Sequence, residues 1–257
     1  MKGRFIAGAV GALAVAAVAT GAQAPARAAD PLFDVKGIPG TFSANVGLVS
    51  EYYFRGLSQT DDAPALQGGM DYEVELAKPV SAYLGVWGSN VDFNEAAGVD
   101  GATLELDLYG GLKGKIGNTG LSWTGGLIYY AYPGAGTDLN YDFVEGTVGL
   151  GYDFGVAAVD ASVNYSPDFF GGSGNAVYYK LGLSVPVLKK VDLGAYVARQ
   201  TIENNAAYGA PDYWEWNLSA SVSVLGFDVG AAYSDTDISG DPDGKGKAVI
   251  FSVSRAF

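Results

Sequence analysis

The sequence predicts an all-β protein: a transmembrane, antiparallel, up-and-down β-barrel of about 12 strands, preceded by a cleaved signal peptide. Three observations carry this reading. Apolar and polar residues alternate with period two in twelve segments from Phe42 to Phe257, the mark of strands whose two faces meet different surroundings. Long and short connections between those segments alternate as well. An export signal precedes them.

The signal comes first. Lys2 and Arg4 stand before an uncharged stretch from Phe5 to Ala26 rich in Ala, Val and Gly, followed by small residues that a signal peptidase accepts. Ala26-Arg27-Ala28 places Ala at both recognition positions, whereas Ala22-Gln23-Ala24 would put Pro25 directly after the cut, so cleavage is expected after Ala28. The chain divides into a signal peptide over 1–28, a short periplasmic segment over 29–40 and the barrel over 41–257. Removing Lys2, Arg4 and Arg27 with no acid takes the formal net charge from −13 to −16. No later segment has the run of about 18 apolar residues that a membrane helix needs.

The twelve segments are Phe42–Arg55, Leu66–Leu76, Ala82–Phe93, Ala102–Leu112, Leu121–Tyr132, Tyr141–Tyr152, Ala158–Ser166, Val177–Val185, Val191–Arg199, Tyr213–Val224, Phe227–Ser234 and Ala248–Phe257. The second is the sharpest: Leu66, Met70, Tyr72, Val74 and Leu76 alternate with Gln67, Asp71, Glu73 and Glu75. In the third, Ala82, Leu84 and Val86 favour one phase and Trp87, Val91 and Phe93 the other, which predicts a bulge or phase change there. Connections after the odd segments, such as 56–65 and 200–212, are long, and those after the even ones, such as Lys78-Pro79-Val80 and Leu225-Gly226, are short. One elaborated rim and one plain rim are how outer-membrane barrels are built. Hydrocarbon supplies the physical reason, because backbone N–H and C=O groups cannot be hydrated there and a spanning sheet must close on itself.

Composition removes other classes. The chain has no Cys and no His, which excludes Ser-His-Asp and Cys-His nucleophiles, His/Cys zinc sites, thiolate iron-sulfur sites and His-ligated haem. No cofactor or metal site is expected, and the protein does not read as an enzyme. A chain with 28 acids against 15 bases repels phosphate backbones, so nucleic acid is not an expected partner.

The stretch Phe42-Ser43-Ala44-Asn45-Val46-Gly47-Leu48-Val49-Ser50-Glu51-Tyr52-Tyr53-Phe54-Arg55-Gly56-Leu57-Ser58-Gln59-Thr60 resembles the opening signature of the TorF porin family, proteobacterial proteins long catalogued as of unknown function. Ala82-Tyr83-Leu84-Gly85-Val86-Trp87-Gly88-Ser89-Asn90-Val91 and Tyr165-Ser166-Pro167-Asp168-Phe169-Phe170-Gly171 add to the resemblance, which covers essentially the whole mature chain. It implies a Gram-negative outer-membrane barrel and carries no substrate and no set of functional residues. The last strand agrees: Phe257 with Val253, Phe251 and Val249 fits the terminal signal read by the barrel assembly machinery. Arg255 departs from the apolar residue usual at its position, and its long stem can snorkel.

Function falls to the inward face. The strand phases place Glu51, Asp71, Glu73, Glu75, Glu105, Asp107, Glu145, Asp160 and Glu215 in the lumen with Arg55, Lys180 and Arg199 as basic counterparts. Tyr53, Tyr109, Tyr130, Tyr178 and Tyr196 narrow it. A surplus of carboxylates raises the local cation concentration. The expected function is a narrow, cation-leaning outer-membrane channel for passive diffusion of small polar solutes. The alternative is a non-conducting barrel that serves as a binding, adhesion or structural surface. Acid-rich long loops, including Asp61-Asp62, Glu95, Asp235, Asp237, Asp241 and Asp243, would face outer-membrane lipid and lipopolysaccharide.

Overall fold

A computed structural model of the chain describes residues 37–93, 101–239 and 247–257. The signal peptide, the cut after Ala28 and the loop acids Glu95, Asp241 and Asp243 lie outside the described residues. The chain runs through β1 (Thr41–Val49), a small hairpin of β2 (Tyr53–Phe54) and β3 (Leu57–Ser58), then β4 (Ala65–Ala77), β5 (Val80–Asn90), β6 (Leu104–Lys115) and β7 (Leu121–Ala131). It continues through β8 (Phe143–Asp153), β9 (Ala158–Ser166), β10 (Ala176–Leu188), β11 (Val191–Ile202), α1 (Asn205–Tyr208), β12 (Tyr213–Val224), β13 (Phe227–Thr236) and β14 (Ala248–Ala256). β1 and β4 to β14 form one closed twelve-stranded barrel in sequence order, with every neighbouring pair antiparallel.

Closure is made by the two ends of the barrel. β1 pairs with β14 from Asn45 opposite Ala256 to Val49 opposite Ser252, and the ladder runs one step further as the Phe257 N–H donates to the Ala44 carbonyl at 2.8 Å and the Ala44 N–H to the Phe257 carbonyl at 3.1 Å. The C-terminal residue therefore belongs to the seam. On the outer face beside it, the Arg255 guanidinium lies 5.4 Å from the Phe227 ring and 5.0 Å from the Phe257 ring, so an arginine is accommodated by cation–π contact where an apolar residue is usual.

Leu66, Leu84, Leu127, Val148, Leu181, Leu218 and Phe251 all point outward and exposed. Their alternate neighbours Gln67, Tyr83, Ile128, Thr147, Asn217 and Ile250 are buried inside. This inversion of a soluble protein's pattern is what a lipid-covered wall requires. Short turns close one rim; Leu225 and Gly226, with φ of 54° and 84°, make a two-residue turn whose twist matches its strands. The opposite rim carries the long loops.

Three sequence expectations are corrected, for related reasons. The first strand ends at Val49, and residues 50–64 turn into the lumen, where Tyr52, Tyr53, Phe54, Arg55 and Gly56 are buried. Glu51 accordingly leaves the wall and sits in the loop, accepting the Asp62 N–H at 3.3 Å. β5 has no bulge at the expected place: its register with β4 is continuous from Ser81 to Ser89, and the shift falls between Glu75 and Ala77 of β4. Trp87 and Val91 are apolar yet inward, because the folded-in loop makes that part of the lumen apolar. Arg199 faces outward, since it shares parity with Leu193 and Val197 while Ala198 and Gln200 are buried inside. Its guanidinium lies 5.5 Å from the outward Trp214 ring, near the long-loop rim where a charge can reach water.

Val148 lies mid-strand in β8 and is 64% exposed on the outer face. Val148→Arg is expected to destabilise the vesicle-reconstituted barrel by about 2–4 kcal/mol in urea unfolding, whereas Ser162→Arg, on the inward face of β9, costs far less. Equal costs would contradict the assignment of the outer face to lipid.

Candidate functional site

The lumen has two unlike halves. Toward the short turns the inward residues are small or polar and only partly covered, among them Ser43, Gly85, Gly111, Gly126, Ser162, Gly194 and Ser252. Gly85 is required by close approach: a Cβ there would overlap the Tyr109 ring. Toward the long loops the inward residues are buried and largely aromatic or acidic.

The loop between β1 and β4 fills that second half. Its tip is the dipeptide Arg55-Gly56 between the paired residues Phe54 and Leu57, with φ of 49° and 77°, the backbone signs of a tight primed hairpin turn. The left-handed conformation suits Gly56 and is unfavourable for Arg55, so surrounding contacts must hold it. They are specific. Arg55 Nη2 donates to Glu145 Oε2 at 2.5 Å and Nη1 to Gln200 Oε1 at 2.9 Å. The guanidinium carbon lies 4.3 Å from the Tyr178 ring centre, 4.8 Å from Phe54 and 5.5 Å from Phe169, while the Tyr213 hydroxyl donates to the Arg55 carbonyl at 2.8 Å. An arginine keeps its charge even when buried, and here the Glu145 carboxylate balances it. Gly56 has no room for a side chain, because a Cβ would come within 2.6 Å of Glu215 Oε2 and of Thr236 Cγ2.

Tyrosines satisfy the neighbouring carboxylates. Tyr52 and Tyr132 donate to the two oxygens of Glu105 at 2.7 and 2.8 Å, and Tyr178 donates to Glu215 Oε1. Asp107 is different: it is fully buried, and neither of its carboxylate oxygens has a hydrogen-bond partner among the described residues. On the adjacent strands it is flanked by Trp87 and Tyr130. One oxygen each of Glu145 and Glu215 is likewise without a partner. At this level four carboxylates, Glu105, Asp107, Glu145 and Glu215, face one guanidinium. Lys180 stands just below, its ammonium 4.5 Å from the Tyr196 ring centre. Among the described residues no group of acids is spaced to chelate a metal ion.

Above the loop lies an aromatic roof in which Phe93, Tyr132, Tyr141 and Phe170 pack with ring centres 4.3 to 6.0 Å apart. At the same rim Glu203 ties two loops together, its carboxylate accepting the Asn175 N–H at 2.9 Å and the Asn175 amide at 2.5 Å. These two bonds hold the Glu203 carboxyl below the usual carboxylate range.

Of the residues expected in the lumen, Arg55, Glu105, Asp107, Glu145 and Glu215 meet in this buried cluster. Asp71, Glu73, Asp160 and Lys180 face the more open half, where Tyr109 donates to Asp71 at 2.7 Å and Lys113 pairs with Glu73 at 2.6 Å. Glu75 lies exposed at the short-turn end, and Glu51 and Arg199 are outside the lumen wall. The sequence reading missed Tyr52, Trp87, Tyr132, Phe169, Gln200 and Tyr213 as parts of the cluster. One signal for the loop was available: Tyr52, Tyr53 and Phe54 are consecutive aromatics, which no two-faced strand can sort onto one side.

Arg55→Ala strands the Glu145 carboxylate in a buried site and is expected to cost about 3–5 kcal/mol in urea unfolding, with Glu145→Gln in the same chain recovering part of the loss in a double-mutant cycle. Gly56→Ala, strained in backbone and blocked by Glu215, is expected to expel the loop tip, read as faster proteolysis between 50 and 64 than in the unaltered protein.

Among the solved structures that resemble this barrel are two whose likeness covers most of the chain. An outer membrane channel from Pseudomonas putida F1 is 11% identical, with 88% of this chain and 100% of that one covered at a TM-score of 0.51. A chain solved in a study of the in-meso crystallization of membrane proteins is 9% identical, with 84% and 83% covered at a TM-score of 0.53. At such identities the likeness concerns the fold. No curated protein matches the sequence. Residues 36–256 match the family described as bacterial protein of unknown function, Gcw_chp, and the chain belongs to that family.

Proposed function

We propose that this protein is an outer-membrane channel for passive diffusion of small polar solutes, narrow and cation-leaning, and that it performs no chemistry of its own. The observation that carries the reading is the contrast between the two faces of one closed wall: leucine, valine and phenylalanine outside, and carboxylates, tyrosines and small polar residues inside. The likeness to the Pseudomonas channel and the resemblance to TorF porins support the same reading.

Inward carboxylates outnumber inward bases. Asp71, Glu73, Glu105, Asp107, Glu145, Asp160 and Glu215 stand against Arg55, Lys113 and Lys180, and low-dielectric walls focus that field toward cations. The folded-in loop sets the bore. Solutes pass only where the loop and its aromatics leave room or shift, which favours small hydrated species over bulky ones. The same filled lumen also supports a second reading, a sealed barrel whose long loops bind partners at the surface.

Planar-bilayer recordings in a salt gradient decide between them. The channel reading expects a reversal potential of cation sign, a shift toward zero in the Asp71→Asn, Glu73→Gln double variant, and a larger conductance when residues 52–58 are replaced by a glycine-serine linker. An anion-signed potential contradicts the selectivity. A linker variant that inserts yet passes no current contradicts the channel and favours the sealed barrel.

A further inference from the structure

We propose that the cage around the Arg55 side chain is a binding site for guanidinium-bearing solutes, occupied in the resting loop by the protein's own guanidinium. The inference deepens the channel reading and rests on it for the statement that such solutes pass through this lumen.

The geometry is that of recognition by a planar fork. Two acceptors on different strands, Glu145 Oε2 of β8 and Gln200 Oε1 of β11, meet the two terminal nitrogens of one guanidinium at 2.5 and 2.9 Å. The Tyr178 ring, 4.3 Å away, and the Phe169 ring, 5.5 Å away, offer π-faces to the cation. A guanidinium presents parallel N–H donors to such a pair and is weakly hydrated enough to enter an aromatic cage, whereas an ammonium ion is a compact and strongly hydrated point charge. Only the tip of the loop supplies the occupant. The acceptors and the Tyr178 ring belong to the barrel wall, so the wall side of the cage does not depend on the loop that fills it.

A second observation points to a ligand. Asp107 is fully buried, and among the described residues neither of its oxygens has a partner, nor do Glu145 Oε1 and Glu215 Oε2. Arg55 thus satisfies one oxygen of an acid cluster that still has unmet acceptors. Burying carboxylates without donors is costly. That cost falls if a solute with several N–H groups takes the place of the loop tip and reaches more of them. The unfavourable left-handed backbone of Arg55 works in the same direction, since releasing the tip relieves it. A guanidinium-bearing solute would compete with Arg55 for Glu145 and Gln200, displace the tip, and occupy the position that narrows the lumen.

The test empties the cage and refills it from solution. Arg55→Ala barrels, refolded in lipid vesicles, are unfolded thermally with millimolar methylguanidinium chloride or, at equal charge, tetramethylammonium chloride. The site expects methylguanidinium to raise the midpoint at concentrations about tenfold lower than tetramethylammonium, and Glu145→Gln added to the same chain to erase the difference. If Arg55→Ala does not refold alone, methylguanidinium in the refolding buffer is expected to restore the barrel and tetramethylammonium not to. Equal responses to both cations, or a response that survives Glu145→Gln, overturn the site, as does refolding that methylguanidinium leaves unimproved. Binding is read without current, so a barrel that conducts and ignores methylguanidinium overturns the site alone. One that binds it selectively but passes no ions supports the cage and overturns the channel reading.

Discussion

Backbone N–H and C=O groups have no water to bond with inside hydrocarbon, and the rest of this structure follows from how the chain meets that constraint. Twelve strands pair edge to edge until β1 meets β14 and no edge is left. The last step uses the carbonyl and N–H of Phe257 itself. Once the sheet is closed, each strand has one lipid-facing side and one enclosed side, and the period-two pattern distributes residues between them. The outward side is nearly uniform in character. The inward side is free to differ from place to place.

That freedom produces the two-part lumen. Near the short turns the inward face is lined by small residues, and Gly85 makes room for the Tyr109 ring that packs against it. Near the long loops the interior behaves like the core of a soluble domain, with Tyr52, Tyr130, Tyr213 and Phe169 almost wholly buried. Its centre is nevertheless an ion pair. Arg55 and Glu145 are each almost completely removed from solvent, and a buried pair of this kind is weak evidence for stability by itself. Its value here is positional: together with the Gln200 and Tyr213 hydrogen bonds it fixes the tip of a loop whose backbone is unfavourable at Arg55.

The departures from the sequence pattern share this origin. Taking apolar to mean outward holds wherever the lumen is polar, and it placed Asp71, Glu73, Glu105, Asp107, Asp160, Glu145 and Glu215 on the inner face, where the structure also has them. It fails beside the folded-in loop. There Trp87 and Val91 are apolar and inward, so β5 looked as though it changed phase. It fails again at the rim, where Arg199 turns outward to Trp214 because water is within reach of its side chain. The first strand ends at Val49, short of Arg55, because the adjacent aromatics Tyr52, Tyr53 and Phe54 cannot be sorted onto one face of a wall and fold inward instead.

Local pattern determined the strand count, the alternation of long and short connections and the antiparallel order of successive strands, because those features depend on nearest neighbours along the chain, and the surrounding hydrocarbon then requires the ends to close, as β1 and β14 do. The tertiary structure decided what fills the barrel. Arg55 meets Glu145 across 90 residues and Gln200 across 145, and no periodicity links positions so far apart. Whether a loop arches over the rim or folds beneath it depends on the acceptors inside, and Glu145 of β8 and Gln200 of β11 face each other only across the closed barrel.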